Sequence, residues 1–374
     1  MGIDDHLEFE EHYHEKGQKR ASRKQRRLAI SKDRSKFKKT DAKKEKSPFT
    51  SFPENIRRGR VLAISKEGVL VNFAQKEYLC VLKGSLKKEK TKKKNLIIVG
   101  DFVLFTDSNS EMETIVHVEP RTSFLSRADN LSQKREQLIA ANIDQAFITV
   151  SLYYPYLKPA LVDRYLIAAK KGHMHAVIII NKIDFLTNPP EDLEQEVIDT
   201  EKELFEEFLK TYTALGYKIL LISTKTEEGI ETLKEIMQEK ASVFVGQSGV
   251  GKTSLINAAT KRQLRVGSIV EKTKKGSHTT TSSILLPVEG NGFVIDTPGI
   301  KSFGLWDLTT AEIRRNFPEM ESFSQHCRYP NCSHMHEPDC AVQEAVDRKK
   351  ISLMRFESYQ TLMNEALEKK LHNF

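Results

Sequence analysis

The chain has 374 residues, of which 39% are hydrophobic, so it is long enough for two or three domains with buried cores. Lysine and arginine together number 59 and aspartate and glutamate 51, which gives a formal net charge of +8. No run of about 18 apolar residues is present, and the acidic start, Met1–Glu15, is unlike a signal peptide. We therefore expect a cytoplasmic protein that does not span a membrane.

Basic residues are concentrated in two tracts in the first quarter of the chain. Lys16–Lys46 contains 15 basic and 3 acidic residues, and Lys83–Lys94 contains seven lysines and one glutamate. Because residues 1–50 also have few large apolar side chains, we predict a disordered basic arm there. One tract of this kind is usually only solvated charge, but two tracts flanking one small domain indicate a polyanionic partner.

Residues 51–125 are predicted to form a small β-barrel. Five short runs of strand-forming residues, separated by turn residues, lie within about sixty positions and begin at Gly59, Gly68, Tyr78, Asp101 and Glu113. This density of strands favours an OB-type fold. The loop Lys83–Lys94 would then project from a surface that such folds commonly use to bind nucleic acid.

Residues 126–305 are predicted to form an open, mostly parallel α/β sheet. After a connector that reaches about Asn142, apolar strands alternate with amphipathic helices. The predicted strands are 144–151, 176–181, 217–223, 242–246, 283–288 and 292–296. Residues 306–374 are predicted to add a mostly helical domain, with a short helix near 311–320 and a terminal helix over roughly 347–371.

A glycine-rich loop follows the strand predicted at 242–246. Its pattern, Gly246-x4-Gly251-Lys252-Thr253, lies between an apolar strand and a helix, where glycines let backbone N–H groups surround phosphates. Lys252 is predicted to contact the β and γ phosphates and Thr253 to ligate Mg²⁺, whereas a chance glycine loop is the alternative. The residues assigned to this loop are Gly246, Gln247, Ser248, Gly249, Val250, Gly251, Lys252, Thr253 and Ser254.

Polar segments also follow three other predicted strands. Asp296 and Gly299 belong to an Asp-Thr-Pro-Gly turn, where a carboxylate can support Mg²⁺. Asp184 can accept hydrogen bonds from both N1–H and the exocyclic amino group of guanine, and adenine offers no such donor pair, so GTP is favoured over ATP. The residues assigned to the base are Asn181, Lys182, Asp184, Ser223, Thr224 and Lys225.

The segment Gly276–Thr281 is predicted to be a switch loop. A hydroxyl in such a loop coordinates Mg²⁺ while the γ-phosphate is present, and Thr280 is assigned this role, with Thr279 and Thr281 as alternatives. Ile300 stands where many GTPases have the glutamine that orients the attacking water. His278 is therefore the candidate for positioning that water, and the alternative is an exposed loop histidine without a role.

Three of the four cysteines lie close together beside a histidine. The pattern Cys327-x4-Cys332-x-His334-x5-Cys340 supplies three thiolates and one imidazole, which is a complete tetrahedral set for one structural Zn²⁺. Four protein ligands leave no open position, so catalysis by this metal is not expected. His336 is a possible substitute for His334, and the alternative interpretation is three buried free cysteines.

The order of these motifs is unusual, because the base-reading Asn181–Asp184 precedes the phosphate loop by about 65 residues, whereas most GTPases have the phosphate loop first. With this order, the Gly-x-His-Thr-Thr-Thr switch and the cysteine pattern, the chain resembles the ribosome small subunit-dependent GTPase A family (RsgA) over about residues 57–365. The matching residues are Asn181, Lys182, Asp184, Ser223, Lys252, Thr253, His278, Thr280, Asp296, Gly299, Cys327, Cys332, His334 and Cys340.

The resemblance implies an N-terminal OB-type barrel, a circularly permuted GTPase domain and a C-terminal zinc-binding helical domain. It also implies binding of GTP with Mg²⁺ and a role late in the assembly of the small ribosomal subunit, with ribosome-stimulated hydrolysis and contacts to rRNA. We expect a monomer. The alternatives are a GTP-dependent RNA-binding scaffold with negligible turnover and a GTPase that acts on another RNA, such as tRNA.

Overall fold

Residues 55–84, 86, 96–108, 110–129, 132–260, 283–296 and 308–372 are described by the computed structural model. The basic arm predicted at 1–50 lies outside the described residues, as does most of the lysine-rich loop after Leu86. No helix in the described ranges is both long and apolar enough to cross a membrane.

The first five strands close into a barrel, which confirms the predicted OB-type architecture. They are β1 (Ile56–Ile64), β2 (Val69–Phe73), β3 (Lys76–Leu82), β4 (Phe102–Thr106) and β5 (Glu113–Val118), in the order β1-β2-β3-β5-β4. Alternate residues point inward, as the period of a strand requires, and form a core of Val61, Val71, Cys80, Val103, Phe105 and Ile115. Gly59 is needed beside this core, because a Cβ there would lie 2.4 Å from Val71 Cγ1.

The segment predicted as a connector contains an antiparallel hairpin of β6 (Phe124–Asp129) and β7 (Ser132–Ala141). Asn142, at the end of β7, joins the hairpin to the barrel, because its Nδ2 donates to the Gly100 carbonyl at 3.1 Å. Its Oδ1 accepts from the Thr122 backbone N–H at 3.0 Å. The connector is therefore an ordered element that contacts the barrel.

The central sheet contains six strands in the order β10-β9-β8-β11-β13-β12. They are β8 (Gln145–Ser151), β9 (His175–Asn181), β10 (Lys218–Ile222), β11 (Ala241–Gly246), β12 (Ile284–Pro287) and β13 (Phe293–Asp296). All neighbours pair in parallel except β12 and β13, which are antiparallel. Each strand predicted for this region is present, with ends that differ by at most one residue.

Helices cover both faces of this sheet, and alternate strand residues face opposite layers. Ile148 belongs to the core formed with α1 (Pro159–Lys171) and α2 (Gln195–Ala214). Its neighbour Phe147 belongs to the core formed with α3 (Ile230–Met237) and α4 (Lys252–Thr260). This is the doubly wound arrangement in which ligands bind at the carboxyl ends of the strands.

The C-terminal region forms four helices: α5 (Thr310–Arg315), α6 (Pro318–Ser324), α7 (Ala341–Asp347) and α8 (Leu353–His372). The single helix expected near 311–320 is split into two, because Pro318 lacks a backbone N–H and begins a new helix. The expected terminal helix begins later, at Leu353, and α7 is separate from it.

Buried ion pairs hold α8 against the domain predicted to be a GTPase. Arg355 pairs with Asp163 of α1 and, at 2.6 Å, with Glu319 of α6. Tyr212 of α2 donates to Asp163 at 2.7 Å, and the Arg355 guanidinium lies 4.0 Å from the centre of the Phe317 ring. The four elements α1, α2, α6 and α8 therefore meet at one buried charge network.

Candidate functional site

The residues predicted to bind nucleotide meet at the carboxyl edge of the central sheet. Asn181 ends β9, Ser223 follows β10, Gly246 ends β11 and the backbone of Asp296 ends β13. Since these strands are parallel neighbours, segments far apart in sequence reach the same edge.

The phosphate loop requires glycine at two positions in the left-handed region. Gly249 has φ +89° and Gly251 has φ +92°. A Cβ on Gly251 would lie 2.3 Å from Asn181 Nδ2, so even alanine would displace that side chain. The same Nδ2 donates to the Val250 carbonyl at 2.9 Å, which joins the phosphate loop directly to the base-reading segment.

Asn181 also retains an unpaired atom. The residue is 1% exposed, and its Oδ1 is buried with no hydrogen-bond partner among the described residues. A buried acceptor of this kind is costly unless a ligand or water pairs with it. The local chemistry therefore suits a site that completes its hydrogen bonds on binding.

Lys252 begins α4 and lies across the mouth of the loop. Its Nζ donates to the Gly246 carbonyl at 2.9 Å and to the Gln247 carbonyl at 2.7 Å. Thr253 and Ser254 follow in the first turn of the helix. The ammonium is thus held among carbonyls at the helix N-terminus, where a phosphate would meet both its charge and the backbone N–H groups.

Asp184 lies in a short 3₁₀ helix, Ile183–Leu186, and its carboxylate is positioned by the segment after β10. Oδ1 accepts from the Ser223 hydroxyl at 2.7 Å. The Ser223 oxygen in turn accepts the backbone N–H groups of Lys225 and Thr226, both at 3.2 Å. The exposed Lys225 Nζ lies 4.0 Å from Asp184 Oδ2, and Thr224 is half-buried beside them.

A turn after β8 also lies at this edge, and its residues were not among the predicted site residues. Lys182 has φ +64° and its Nζ donates to the Tyr154 carbonyl. Burial lowers the pKa of Lys182, against the opposing effect of Asp184. Ser151 holds the turn by donating to the Pro155 carbonyl at 2.8 Å. A Tyr-Tyr-Pro-Tyr run after a strand indicates a turn, but it does not indicate what the turn contacts, so this part of the edge could not be predicted from the sequence.

The remaining nucleotide-site predictions lie outside the described residues. These are His278, Thr280 and Gly299, together with the side chain of Asp296.

The predicted zinc ligands lie together between α6 and α7. The ligand atoms of Cys327, Cys332, His334 and Cys340 all lie within 4.8 Å of one another. His334 Nδ1 is 3.6 Å from Cys327 Sγ and 3.4 Å from Cys340 Sγ, and the two sulfurs are 3.9 Å apart. A tetrahedral zinc ion with Zn–S of about 2.3 Å and Zn–N of about 2.0 Å separates its ligands by about 3.5–3.8 Å, so these four residues fit that metal.

Burial sets the protonation states within this cluster. It raises the pKa of the Cys332 thiol to about 12 and lowers the pKa of His334. Burial thus favours the neutral, ligating form of the imidazole, whereas the Cys332 and Cys340 thiols need the charge of a cation to ionise at neutral pH. His336, the possible substitute, is exposed and lies outside the four-residue group.

Glu337 supports the loop around His334. Its carboxylate accepts backbone N–H groups of Ser333 at 2.7 Å and Met335 at 3.1 Å. Desolvation favours the neutral acid, but hydrogen bonds from the Ser333 side chain and from backbone N–H groups that include those of Ser333 and His336 outweigh it and lower the pKa of Glu337 to about 2. A permanently charged acceptor thus fixes the backbone that presents the imidazole.

Comparison with known proteins agrees with this geometry. Residues 118–306 match the family model described as RsgA GTPase. This chain belongs to the RsgA GTPase family. It is 35% identical to the small ribosomal subunit biogenesis GTPase RsgA of Phocaeicola vulgatus, over 78% of this chain and 91% of that protein. It is 41% identical to the protein of the same name from Chlorobaculum parvum, over 73% of this chain and 86% of that protein.

Two solved structures share the fold. The crystal structure of YjeQ from Thermotoga maritima matches with a TM-score of 0.65 and 30% identity, covering 83% of this chain and 99% of that chain. YloQ, described as a circularly permuted GTPase, matches with a TM-score of 0.61 and 25% identity, covering 84% and 96%. The permuted order of motifs in this RsgA family member is therefore shared with a solved neighbour.

Proposed function

We propose that this RsgA family GTPase binds the small ribosomal subunit, acts late in its assembly, and hydrolyses GTP faster when bound to it. The observation that carries the proposal is the direct link between base-reading and phosphate-binding segments, made by Asn181 and Val250 at 2.9 Å. The names of the relatives, small ribosomal subunit biogenesis GTPase RsgA, support the choice of partner.

The residues at the sheet edge suit Mg²⁺·GTP. Asp184, held by Ser223, would accept the two adjacent donors of guanine, and Lys252 would contact the β and γ phosphates. The glycine loop supports this, because a Cβ on Gly251 would lie 2.3 Å from Asn181 Nδ2 and disturb the link between the two segments. Thr253 and Thr280 would hold Mg²⁺, which when bound neutralises charge on the phosphate oxygens. Asp296 would support that ion.

His278 would position the water that attacks the γ-phosphate. A neutral imidazole accepts a hydrogen bond from water and so orients it, and Ile300 cannot replace it in this role. We propose that contact with the ribosomal subunit places this histidine, which would make turnover depend on the subunit.

Cys327, Cys332, His334 and Cys340 would hold one structural Zn²⁺. The separations among their ligand atoms support a closed tetrahedral site, and all four positions would be occupied by protein. The ion would order the loop between α6 and α7 and take no part in hydrolysis.

The barrel and the basic arm would contact rRNA phosphates. This is supported by the excess of lysine and arginine in Lys16–Lys46 and Lys83–Lys94, and such contacts make binding depend on salt. We propose a cytoplasmic monomer, since the proteins named as relatives act on a ribosomal subunit.

The proposal is tested by measuring GTP hydrolysis with and without purified small ribosomal subunits at matched salt. Stimulated turnover by the wild type is expected, with loss of turnover in Lys252→Ala and normal turnover in Lys234→Ala, a lysine paired with Glu231 on α3. If subunits change neither hydrolysis nor binding, the ribosomal role is wrong. If binding depends on GTP but turnover stays negligible, the protein is a GTP-dependent scaffold.

A further inference from the structure

A cavity of about 300 Å³ opens in the C-terminal region, between α5, α6 and the loop that carries the zinc ligands. Its apolar lining includes Phe317, Met320 and Pro330, while Cys332 and His334 form part of its inner wall. None of its lining residues belongs to the nucleotide edge, the carboxyl edge of the central sheet where the predicted nucleotide-binding residues lie. Its volume is at the lower limit of ligand-binding pockets, roughly 300–1,000 Å³.

Two adjacent arginines at the end of α5, Arg314 and Arg315, line the same cavity, and both are exposed. The hydroxyl of the buried Tyr359, which also lines the cavity, donates to the Ser333 carbonyl at 2.9 Å. Neither arginine forms an ion pair within the described ranges, so their charge is available to an anion.

The cavity also carries groups that can hydrogen bond to a ligand. Glu321 and Ser324, both on α6, line it. A carboxylate accepts hydrogen bonds from amino and ring N–H groups of the kind that nucleobases present, and phosphates have no such donors at neutral pH.

We propose that this cavity binds the base of one unstacked RNA nucleotide, with Arg314 and Arg315 on the adjacent phosphates. An apolar lining, a carboxylate acceptor and two guanidiniums together suit a base and the phosphates beside it in single-stranded RNA. The inference rests on the proposed function, because it takes the RNA partner from there. It adds that the zinc-binding region binds an unstacked base, whereas the barrel and the basic arm are proposed to contact phosphates.

An acidic peptide would also be attracted by two arginines, but its carboxylate side chains have no N–H donor to offer Glu321, whereas a nucleobase does. The feature that separates the two ligands is dependence on the base itself. The test must therefore remove the bases while keeping the phosphates.

The experiment measures binding of two labelled single-stranded RNA hexamers to the full-length, zinc-loaded protein at matched salt. One hexamer is intact and the other is built from abasic ribose phosphates. The wild type is expected to bind the intact RNA roughly tenfold more tightly, as stacking energies predict. Ser324→Phe, which fills the cavity without changing charge, should remove most of that difference and leave abasic binding unchanged.

Arg315→Ala serves as a second variant if Ser324→Phe does not fold, as judged by zinc content and thermal unfolding. It should weaken binding of both hexamers and reduce their dependence on salt. The matched control is Arg348→Ala, an exposed arginine that pairs with Glu344 on α7, and it should change neither.

Equal binding of the two hexamers by the wild type would overturn the base-binding assignment. So would a Ser324→Phe variant that folds and keeps the full preference for bases, or an acidic peptide that displaces the intact hexamer at equal concentration. Stimulation of wild-type GTP hydrolysis by small ribosomal subunits is measured on the same preparation. Its absence would overturn the proposed function, whatever the hexamers show.

Discussion

The donor atoms of the nucleotide edge come from segments far apart in sequence, whereas the zinc cluster takes its four ligand atoms from Cys327–Cys340 alone. Asn181 and Val250 are joined by one hydrogen bond across 69 positions, and Asp184 and Ser223 by another across 39. The first site exists only once the parallel sheet has formed. The second brings together residues from a single loop.

This difference indicates where each site obtains its stability. The nucleotide edge is preformed by β8, β9 and β11, which are buried on both faces, and by the edge strand β10, which is only partly buried. The loop around the cysteines has little regular structure, so the metal itself would provide much of its folding free energy. Changes at the zinc cluster should therefore act on folding, and changes at the nucleotide edge on binding.

The largest effect is expected from Cys340→Ser, which removes a zinc ligand. The variant should lose zinc and lower the free energy of unfolding of the C-terminal region by several kcal/mol, since structural zinc sites contribute on the order of 10 kcal/mol. Metal analysis and thermal unfolding measure this. Cys80→Ala, at a buried barrel cysteine outside the cluster, is the control and should retain one zinc per chain. Full stability without zinc would contradict the structural role.

Arg355 connects the C-terminal helices to the domain that carries the nucleotide edge. Arg355→Ala therefore tests whether the stability of one depends on contact with the other. Burial raises the pKa of Asp163 to about 6 even beside this arginine, and removing the cation leaves the carboxylate buried without its partner. We expect a loss of about 3–5 kcal/mol in unfolding free energy.

Chemical denaturation of the Arg355→Ala variant measures that loss. The double variant Asp163→Asn/Arg355→Met should recover most of it, because no buried charge remains. The control Arg164→Ala breaks a pair whose partner, Glu365, is exposed to solvent, and it should cost less. A small effect of Arg355→Ala would mean that α8 is held mainly by apolar packing.

Gly251→Ala separates backbone strain from damage to the nucleotide edge. Gly251 and Gly216 have similar φ values, +92° and +83°, but a Cβ meets Asn181 only at Gly251 and meets nothing within 4 Å at Gly216. Both substitutions should cost about 1–2 kcal/mol in stability. Only Gly251→Ala should also weaken GDP binding, by roughly 100-fold or more, as measured by fluorescent nucleotide titration. Equal affinities in the two variants would show that the Asn181 contact is unimportant.

The sequence predicted the strands of the sheet well, and it predicted that Cys327, Cys332, His334 and Cys340 lie together, because both features leave local signals. Apolar runs that end in a polar residue mark the strands, and the spacing of Cys327, Cys332 and Cys340 marks the cluster. Both signals require only neighbouring residues.

The features that were missed depend on partners distant in sequence. Nothing in residues 124–141 distinguishes a hairpin from a connector until Asn142 bonds to Gly100. Likewise, Lys182 donates to the Tyr154 carbonyl, and a backbone acceptor leaves no trace in residue type. The helix break before Pro318 is visible in the sequence, because proline lacks the backbone N–H that the interior of a helix requires.

The smallest effect tests the finest part of the comparison, the positioning of Asp184 by Ser223. Ser223→Ala removes a 2.7 Å hydrogen bond to the carboxylate, together with the acceptor for two backbone N–H groups. Guanine-nucleotide affinity should fall by about three- to tenfold, since one such bond contributes about 1 kcal/mol. Ser65→Ala is a matched control, because the Ser65 oxygen accepts the N–H groups of Glu67 and Gly68 in a similar barrel turn. Titration with GDP should leave that control at wild-type affinity. If both serine variants bind GDP equally well, Asp184 is positioned by its own 3₁₀ helix. The guanine-binding part of the nucleotide edge would then depend less on contacts between distant segments than its hydrogen bonds indicate.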